Sequence, residues 1–284
     1  MPKKIAQVWV DAAEALDLPP VSTYASTVLF NWTFTSSPKD LDDLKIRFTS
    51  TGLVDEEWFY LVSAGIDMRS PRILEIVERI AKGEIDEALA DLASVINELT
   101  IVLERMYEKC KPDVFYNQIR RYFAGWLNDP DLGDSGLEYE LEGGNRFFKL
   151  AGGSAAQTAT IQLVDNILSI DHEGGQEGAF QHGSKRIPYL REMRSYMPIA
   201  HREYLQRAEE MFASPELRMK IETSPSFKSC VEALIAFRNA HIIMVTRYII
   251  NPSAKTHQKA LGTGGSNPLP FLKQIRNDTG NKLH

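Results

Sequence analysis

The stretch VEALIAFRNAHIIMVTRYII, residues Val231–Ile250, decides the fold class. Leu234, Phe237, Arg238, His241, Met244, Val245 and Tyr248 recur at steps of three and four, so they share one stripe of a helix and point inward together. An imidazole, His241, stands in the middle of that stripe. Two readings follow. His241 is a core residue with a satisfied hydrogen bond, or it is a neutral imidazole that ligates a metal. A lone histidine on an otherwise apolar helix is also how a haem iron is held from one side.

The same spacing recurs outward in both directions, at Ile5–Leu18, Val21–Asn31, Asp55–Asp67, Ile73–Ala81, Ile85–Glu108, Asp113–Trp126, Ser154–Ile170, Arg186–Tyr196, His201–Phe212 and Pro268–Arg276. It predicts an all-α protein. Proline and glycine fall between these elements, as at Pro19-Pro20, Gly174-Gly175 and Asn251-Pro252. Asn128–Phe148 and His172–Lys185 are polar, Gly-rich connections of the length that often carries function. No repeat or shift of composition divides the chain, so residues 1–284 are expected to form one large helical domain.

At 284 residues, 43% hydrophobic and 25% charged, the composition is that of a globular chain with a sizeable core. The formal charge is -6 and the basic residues are dispersed, which excludes a nucleic-acid surface and favours a small-molecule partner. The first residues, MPKKIAQVWVDAAEAL, lack the apolar centre of a signal peptide, and no run is expected to span a bilayer. Cys110 and Cys230 have neither CxxC nor zinc-type spacing, which suits free thiols in the cytoplasm.

Three further segments are richer than packing requires. LGTGGS, Leu261–Ser266, is a glycine-rich loop whose amides and hydroxyls suit an anion, or simply a mobile linker. AGGSAAQ, Ala151–Gln157, opens a helix with small residues. It admits the close approach of a flat ligand or of another backbone, and its amides suit a carboxylate such as a haem propionate. FYNQIRRYFAGW, Phe115–Trp126, places Tyr116, Arg120 and Phe123 on one helical face, where an arginine among rings can pair with a ligand carboxylate or snorkel to the surface. His201 is read as a structural residue at a helix start. His172, His182, His257 and His284 are read as solvated.

Seven segments in order resemble the indoleamine 2,3-dioxygenase family: LDLPPVSTYASTVLFNW (Leu16–Trp32), WFYLVSAGI (Trp58–Ile66), VFYNQIRRYFAGW (Val114–Trp126), LAGGSAAQ (Leu150–Gln157), LREMRSYMPIAHREYL (Leu190–Leu205), FRNAHIIMVTRYII (Phe237–Ile250) and GTGGSNPLPFLKQIRNDT (Gly262–Thr279). The resemblance implies haem b bound through one proximal histidine, with O2 as co-substrate. It also implies insertion of both oxygen atoms across the C2–C3 bond of the indole of tryptophan, giving N-formylkynurenine. His241 matches the iron ligand, and Arg238 with Asp165 matches an ion pair behind it. Tyr24, Thr27, Val28, Phe59, Tyr60, Ser63 and Phe123 match residues around the indole, and Gly153, Ser154 and Ala155 line the same space and the cofactor. Phe115 and Arg120 match the residues that pack on the substrate and hold its carboxylate. Thr263 matches a mobile-loop residue near the ammonium group and a propionate, and Ser63 has a minor catalytic part as a distal hydrogen-bonding group.

This sequence departs from the family's pattern in four places. Only Met1–Asp17 precedes the LPP segment, where better-known members carry a small N-terminal domain, and the loop before GTGGS is short. The less covered face is therefore expected to be closed by a second subunit in a homodimer. Thr27 stands for a frequent cysteine and Phe123 for a smaller leucine, which leaves open a related biosynthetic oxidation or rearrangement of a tryptophan-like substrate. A myoglobin-like O2-binding protein is the third reading, but such a protein has no use for a carboxylate anchor like Arg120.

Overall fold

The computed structural model describes the chain except residues 35–39, 128, 130, 173–179, 183–184, 188, 256–261, 264–266 and 284, together with the side chains of 180–182 and 185–187. Helices dominate, as expected. The central one, Ile85–Glu104, buries Ala88, Leu89, Leu92, Ala93, Val95, Ile96, Leu99, Val102 and Leu103. These apolar positions form one broad buried face, while Glu87, Asp91, Ser94, Asn97 and Glu104 on the opposite side are exposed. The helix Phe227–Val245 packs along it, as do Ser70–Ala81 and Val54–Asp67. The C-terminal helix Pro268–Gly280 packs on the other flank of Phe227–Val245.

Asp86, in the first turn of the central helix, fixes where the His241 helix begins. Its carboxylate accepts the Ser224 hydroxyl at 2.6 Å and the Ser226 amide at 2.9 Å, immediately before Phe227. From there the helix runs on through a π-helical turn, Thr246–Ile250, to Lys255. The whole span, Phe227–Lys255, is 29 residues and contains an 18-residue window of mean hydropathy 1.3, so by length and composition one run is after all long and apolar enough to cross a bilayer. Here its apolar side faces the central helix, and it carries a buried arginine.

Several expected elements take another form. Val21–Asn31 contains a π-helix at Ala25–Leu29. Asp113–Trp126 is a short α-turn, Pro112–Val114, followed by a π-helix, Phe115–Ile119, and a 3-10 turn, Arg120–Tyr122. Ser154–Ile170 begins as a 3-10 turn, Ala155–Gln157, before the helix Ala159–Ile167, because Thr158 is extended and caps Thr160. Arg186 lies in a strand, and the helix starts at Tyr189. The helix Pro215–Glu222 was not expected from periodicity; Ser214 caps it and Pro215 opens it. Three short antiparallel pairs add to the helices: Trp32–Phe34 with Leu44–Ile46, Leu137–Tyr139 with Arg146–Phe148, and Phe180–His182 with Lys185–Ile187.

Leu92 is fully buried in the central helix, where replacement by a smaller side chain leaves a cavity. Leu92→Ala should lower the unfolding free energy by about 2–5 kcal/mol, read as a shift of the urea midpoint at constant slope.

Candidate functional site

Every site residue expected from the sequence lines a single cavity. Tyr24, Thr27 and Val28 reach it from the π-helix that follows Thr23, and Phe59, Tyr60 and Ser63 from Val54–Asp67. Phe115, Arg120 and Phe123 reach it from the second π-helix and its continuation. Gly153, Ser154 and Ala155 contribute a loop and Thr263 another, while Asp165, Arg238 and His241 complete the wall.

The three π-helical turns among the described residues all border this cavity. A π-helix bonds each amide to the carbonyl five residues back, so residues five apart align where an α-helix would separate them. The Arg120 amide bonds the Phe115 carbonyl in this way, which lets Phe115 and Arg120 face the cavity together. The α-helical expectation of Tyr116, Arg120 and Phe123 on one face is thereby corrected. The Arg120 guanidinium does lie 5.5 Å from the Tyr116 ring centroid, but the cavity wall is made by Phe115, Arg120 and Phe123.

Aromatic rings form much of that wall. Phe59 stacks on Phe123 at 5.4 Å with an interplanar angle of 12° and lies 4.7 Å from Phe115, whose ring meets Tyr248 edge-on at 5.7 Å. The polar groups between them are engaged inward. Ser63 donates to the Phe59 carbonyl at 3.0 Å, Thr27 to the Thr23 carbonyl at 2.9 Å, and Thr263 to the Gly153 carbonyl at 2.7 Å. Tyr24 donates at 2.5 Å to the half-buried Asp67, which also takes the Thr158 and Thr160 hydroxyls. Burial, then these hydroxyls acting against it, leave the Asp67 carboxyl above its usual pKa.

His241 lines the cavity, and burial, followed by the charge of Arg238, pushes its pKa down to about 4. Its ring is therefore neutral near pH 7 and free to offer a lone pair. Arg238, one turn earlier, bonds Asp165 and the Thr279 hydroxyl and donates to the Ile275 carbonyl at 2.6 Å. Burial depresses the guanidinium's pKa and Asp165 opposes that shift. His172, read from sequence as solvated, instead bridges Asp165 and Asp278, at 3.1 and 3.0 Å. The loop setting concealed this, because Asp278 is distant in sequence.

The open choice at Ala151–Gln157 resolves mainly toward backbone packing. A Cβ on Gly152 would stand 2.1 Å from the Phe123 carbonyl oxygen and 2.4 Å from the Gly125 nitrogen. The amides of Ala151, Gly152, Gly153, Ala156 and Gln157 bond to Tyr196, Thr263, Phe123 and, for the last two, Ser154, so these five are taken up within the fold. Gly153 differs: an added Cβ would meet nothing closer than 3.6 Å. Sequence reasoning missed Gln157, whose side chain accepts the Tyr24 amide and donates to the Gly152 carbonyl, both at 2.8 Å. It also missed Phe271, Leu272 and Ile275, whose helical spacing in Pro268–Arg276 was the available signal. Of Leu261–Ser266, only Gly262 and Thr263 are described, and the expectation of mobility lies outside the described residues for the rest. The side chain of His182, like His257 and His284, also lies outside them, and His201 lies away from the cavity.

The family model for indoleamine 2,3-dioxygenase matches residues 1–282. The chain belongs to the indoleamine 2,3-dioxygenase family. It is 34% identical to indoleamine 2,3-dioxygenase of Saccharomyces cerevisiae over 98% of this chain and 72% of that protein. It is 30% identical to indoleamine 2,3-dioxygenase 1 of Mus musculus, with the same coverage of both chains. A third relative, 6-hydroxytryptophan 2,3-dioxygenase of Fusarium equiseti, is 30% identical over 98% of this chain and 74% of its own length. Membership makes the chain a dioxygenase enzyme, and the all-α architecture agrees with it.

Gly152 and Gly153 make opposite demands on a methyl group. Gly152→Ala should cost about 1–3 kcal/mol or more by forcing two backbone segments apart. Gly153→Ala should leave the melting temperature within a degree or two (roughly 0.5 kcal/mol).

Proposed function

We propose that this chain is a haem-dependent dioxygenase that inserts both atoms of O2 across the indole C2–C3 bond of L-tryptophan or a close derivative, with N-formylkynurenine as the product from tryptophan. The observation that carries this reading is the meeting of a neutral His241, a half-buried Arg120 and an aromatic wall in one cavity. The donor set suits haem. Among the described residues there is no group of three or more histidine, cysteine or acidic side chains able to hold a metal ion. A metal held by His241 must then bring its remaining ligands with it, as a porphyrin does.

His241 would hold the iron, and Phe237, Met244, Val245 and Leu272 offer apolar surface to the macrocycle. Haem would supply the redox-active iron needed to use O2. The chain's own part is to bind, orient and exclude water. Phe59, Phe115 and Phe123 hold the flat indole by stacking and edge contacts. Arg120 pairs with the substrate carboxylate in a partly desolvated setting, where a charge-assisted bond is strong. Ser63 donates its hydroxyl hydrogen bond to the Phe59 carbonyl, so its oxygen is turned to accept the indole N–H and orient the ring. No side-chain base is required in this scheme.

A hydroxylated tryptophan is the second reading. The Thr27 oxygen has a free lone pair on the cavity wall to accept a substrate O–H, and one relative is named for 6-hydroxytryptophan. A homodimer in the cytoplasm, with no nucleic-acid or membrane partner, completes the proposal.

Arg120→Ala should raise KM for tryptophan about 10- to 100-fold, corresponding to about 1.5–3 kcal/mol of lost binding, while haem uptake persists. His241→Ala should abolish the haem absorption band and turnover together. Product is followed by absorbance and mass after adding L-tryptophan and air to the reduced, haem-loaded protein. A stable oxygenated spectrum with no product would sink the dioxygenase reading. A higher kcat/KM for 6-hydroxytryptophan would select the second substrate.

A further inference from the structure

His172 enters a buried cluster that the proposed reaction does not use. Its Nε2 lies 3.1 Å from Asp165 Oδ2 and its Nδ1 lies 3.0 Å from Asp278 Oδ2. The three side chains are 12%, 8% and 11% exposed, so water screens their charges little. A neutral imidazole has one N–H and one lone pair. Between two carboxylates, a neutral ring would turn its lone pair toward an anion. The doubly protonated ring donates to both.

We propose that His172 is held as an imidazolium between Asp165 and Asp278, and that this charged bridge is a positioning residue that locks the C-terminal helix and the Arg238–Asp165 pair behind the His241 ligand. The charges balance only in this state: Asp165 and Asp278 are matched by Arg238 and His172. Each group comes from a different segment, Asp165 from Ala159–Ile167, Arg238 from Phe227–Val245, Asp278 from Pro268–Gly280, and His172 from the loop after Ile170. The neighbouring polar groups are engaged too. Gln274 donates to the other Asp278 oxygen at 2.6 Å, and Thr279 accepts from Arg238. Arg238 Nη2 stands 3.4 Å from His172 Nε2, which would suit a neutral ring accepting from arginine. That nitrogen is nearer to Asp165, however, and Arg238 Nη2 already bonds the other Asp165 oxygen.

Burial and, less strongly, the charge of Arg238 work against the ring's charge, but Asp165, by its charge and hydrogen bond, and then Asp278 overcome them, so the His172 pKa lies above its ordinary 6.5. A raised folded value makes the bridge's contribution complete below the unfolded pKa of about 6.5 and loses it as pH rises through the folded value. The C-terminal helix supplies Phe271, Leu272 and Ile275 to the cavity, so loosening the bridge loosens a wall of the site. What the bridge holds rests on His241 being the haem ligand, whereas the protonation of the ring does not.

The test begins with the full chain labelled with 15N-histidine, His172 being assigned by its absence in His172→Gln. At pH 7 both ring nitrogens should show protonated shifts; an unprotonated Nε2 at pH 7 overturns the proposal. The melting temperature of the haem-free chain should fall between pH 6 and 9, and the fall should be markedly smaller in His172→Gln, whose amide is uncharged and does not titrate. An unchanged pH profile in that variant also overturns it. Haem loss to an excess of a haem-accepting globin should be about 5- to 10-fold faster in the variant, a change of about 1 kcal/mol; an equal rate removes the positioning role. A wild-type chain that takes up no haem would refute the proposed function, and the ring shifts would still decide the state of His172.

Discussion

Arg238 takes a guanidinium into an apolar helix, and the surrounding structure has to make that bearable. An ion removed from water costs several kcal/mol unless a partner charge and hydrogen bonds replace its hydration. Asp165 supplies the charge, while the Ile275 carbonyl and the Thr279 hydroxyl take further N–H groups. These partners lie on two other helices, so the helix Phe227–Val245 cannot turn or slide without breaking one of them. An apolar stripe alone would tolerate such movement more readily. His241 stands three residues beyond Arg238, and its direction into the cavity is inherited from that anchoring.

The cavity depends as well on departures from α-helical geometry. Each π-helical turn inserts a wider loop of backbone and forgoes the better packing of an α-helix. At Thr246–Ile250 the turn comes just after Met244 and Val245 and brings Tyr248 to both the Phe115 ring and the Cys110 carbonyl. At Ala25–Leu29 it holds Thr27 and Val28 beside Tyr24, whose hydroxyl is tied to Asp67 at the far end of the helix that carries Ser63. The widening is localised where a small-molecule pocket needs concave surface.

Periodicity made most of the helices legible, because apolar residues three and four apart are a direct record of the face each helix buries. The π-turns were not legible in this way. One additional residue per turn leaves composition and local spacing nearly unchanged, so Phe115–Trp126 read as a continuous α-helix and paired Tyr116 with Arg120 on the cavity side. The short hairpins escaped for another reason: three-residue strands are too brief to establish an alternation. Gly152 read as a ligand-binding position or a packing position, and only the approach of Phe123 and Gly125 separated the two. His172 was misread because its partners are contributed by residues 165 and 278, and nothing local to the loop announces the second. The roles of individual site residues came through resemblance, since spacing alone brought Arg120 no nearer to His241.

The direction of the hydroxyl protons narrows what the cavity recognises. Ser63, Thr27 and Thr263 all donate to backbone carbonyls, and Tyr24 and Thr158 donate to Asp67. Gln162 likewise turns its amide group to the Ala156 and Leu190 carbonyls. The wall consequently presents oxygen lone pairs, aromatic faces and the charge of Arg120, with few hydroxyl protons left to give. These groups favour a ligand with N–H donors, a flat apolar body and an anion, as the indole amino acid proposed above has. A carrier of O2 needs the reverse, a distal donor and no anchor for a carboxylate. The directions of these hydrogen bonds therefore weigh against an oxygen-carrier role, together with the charge of Arg120 on the wall.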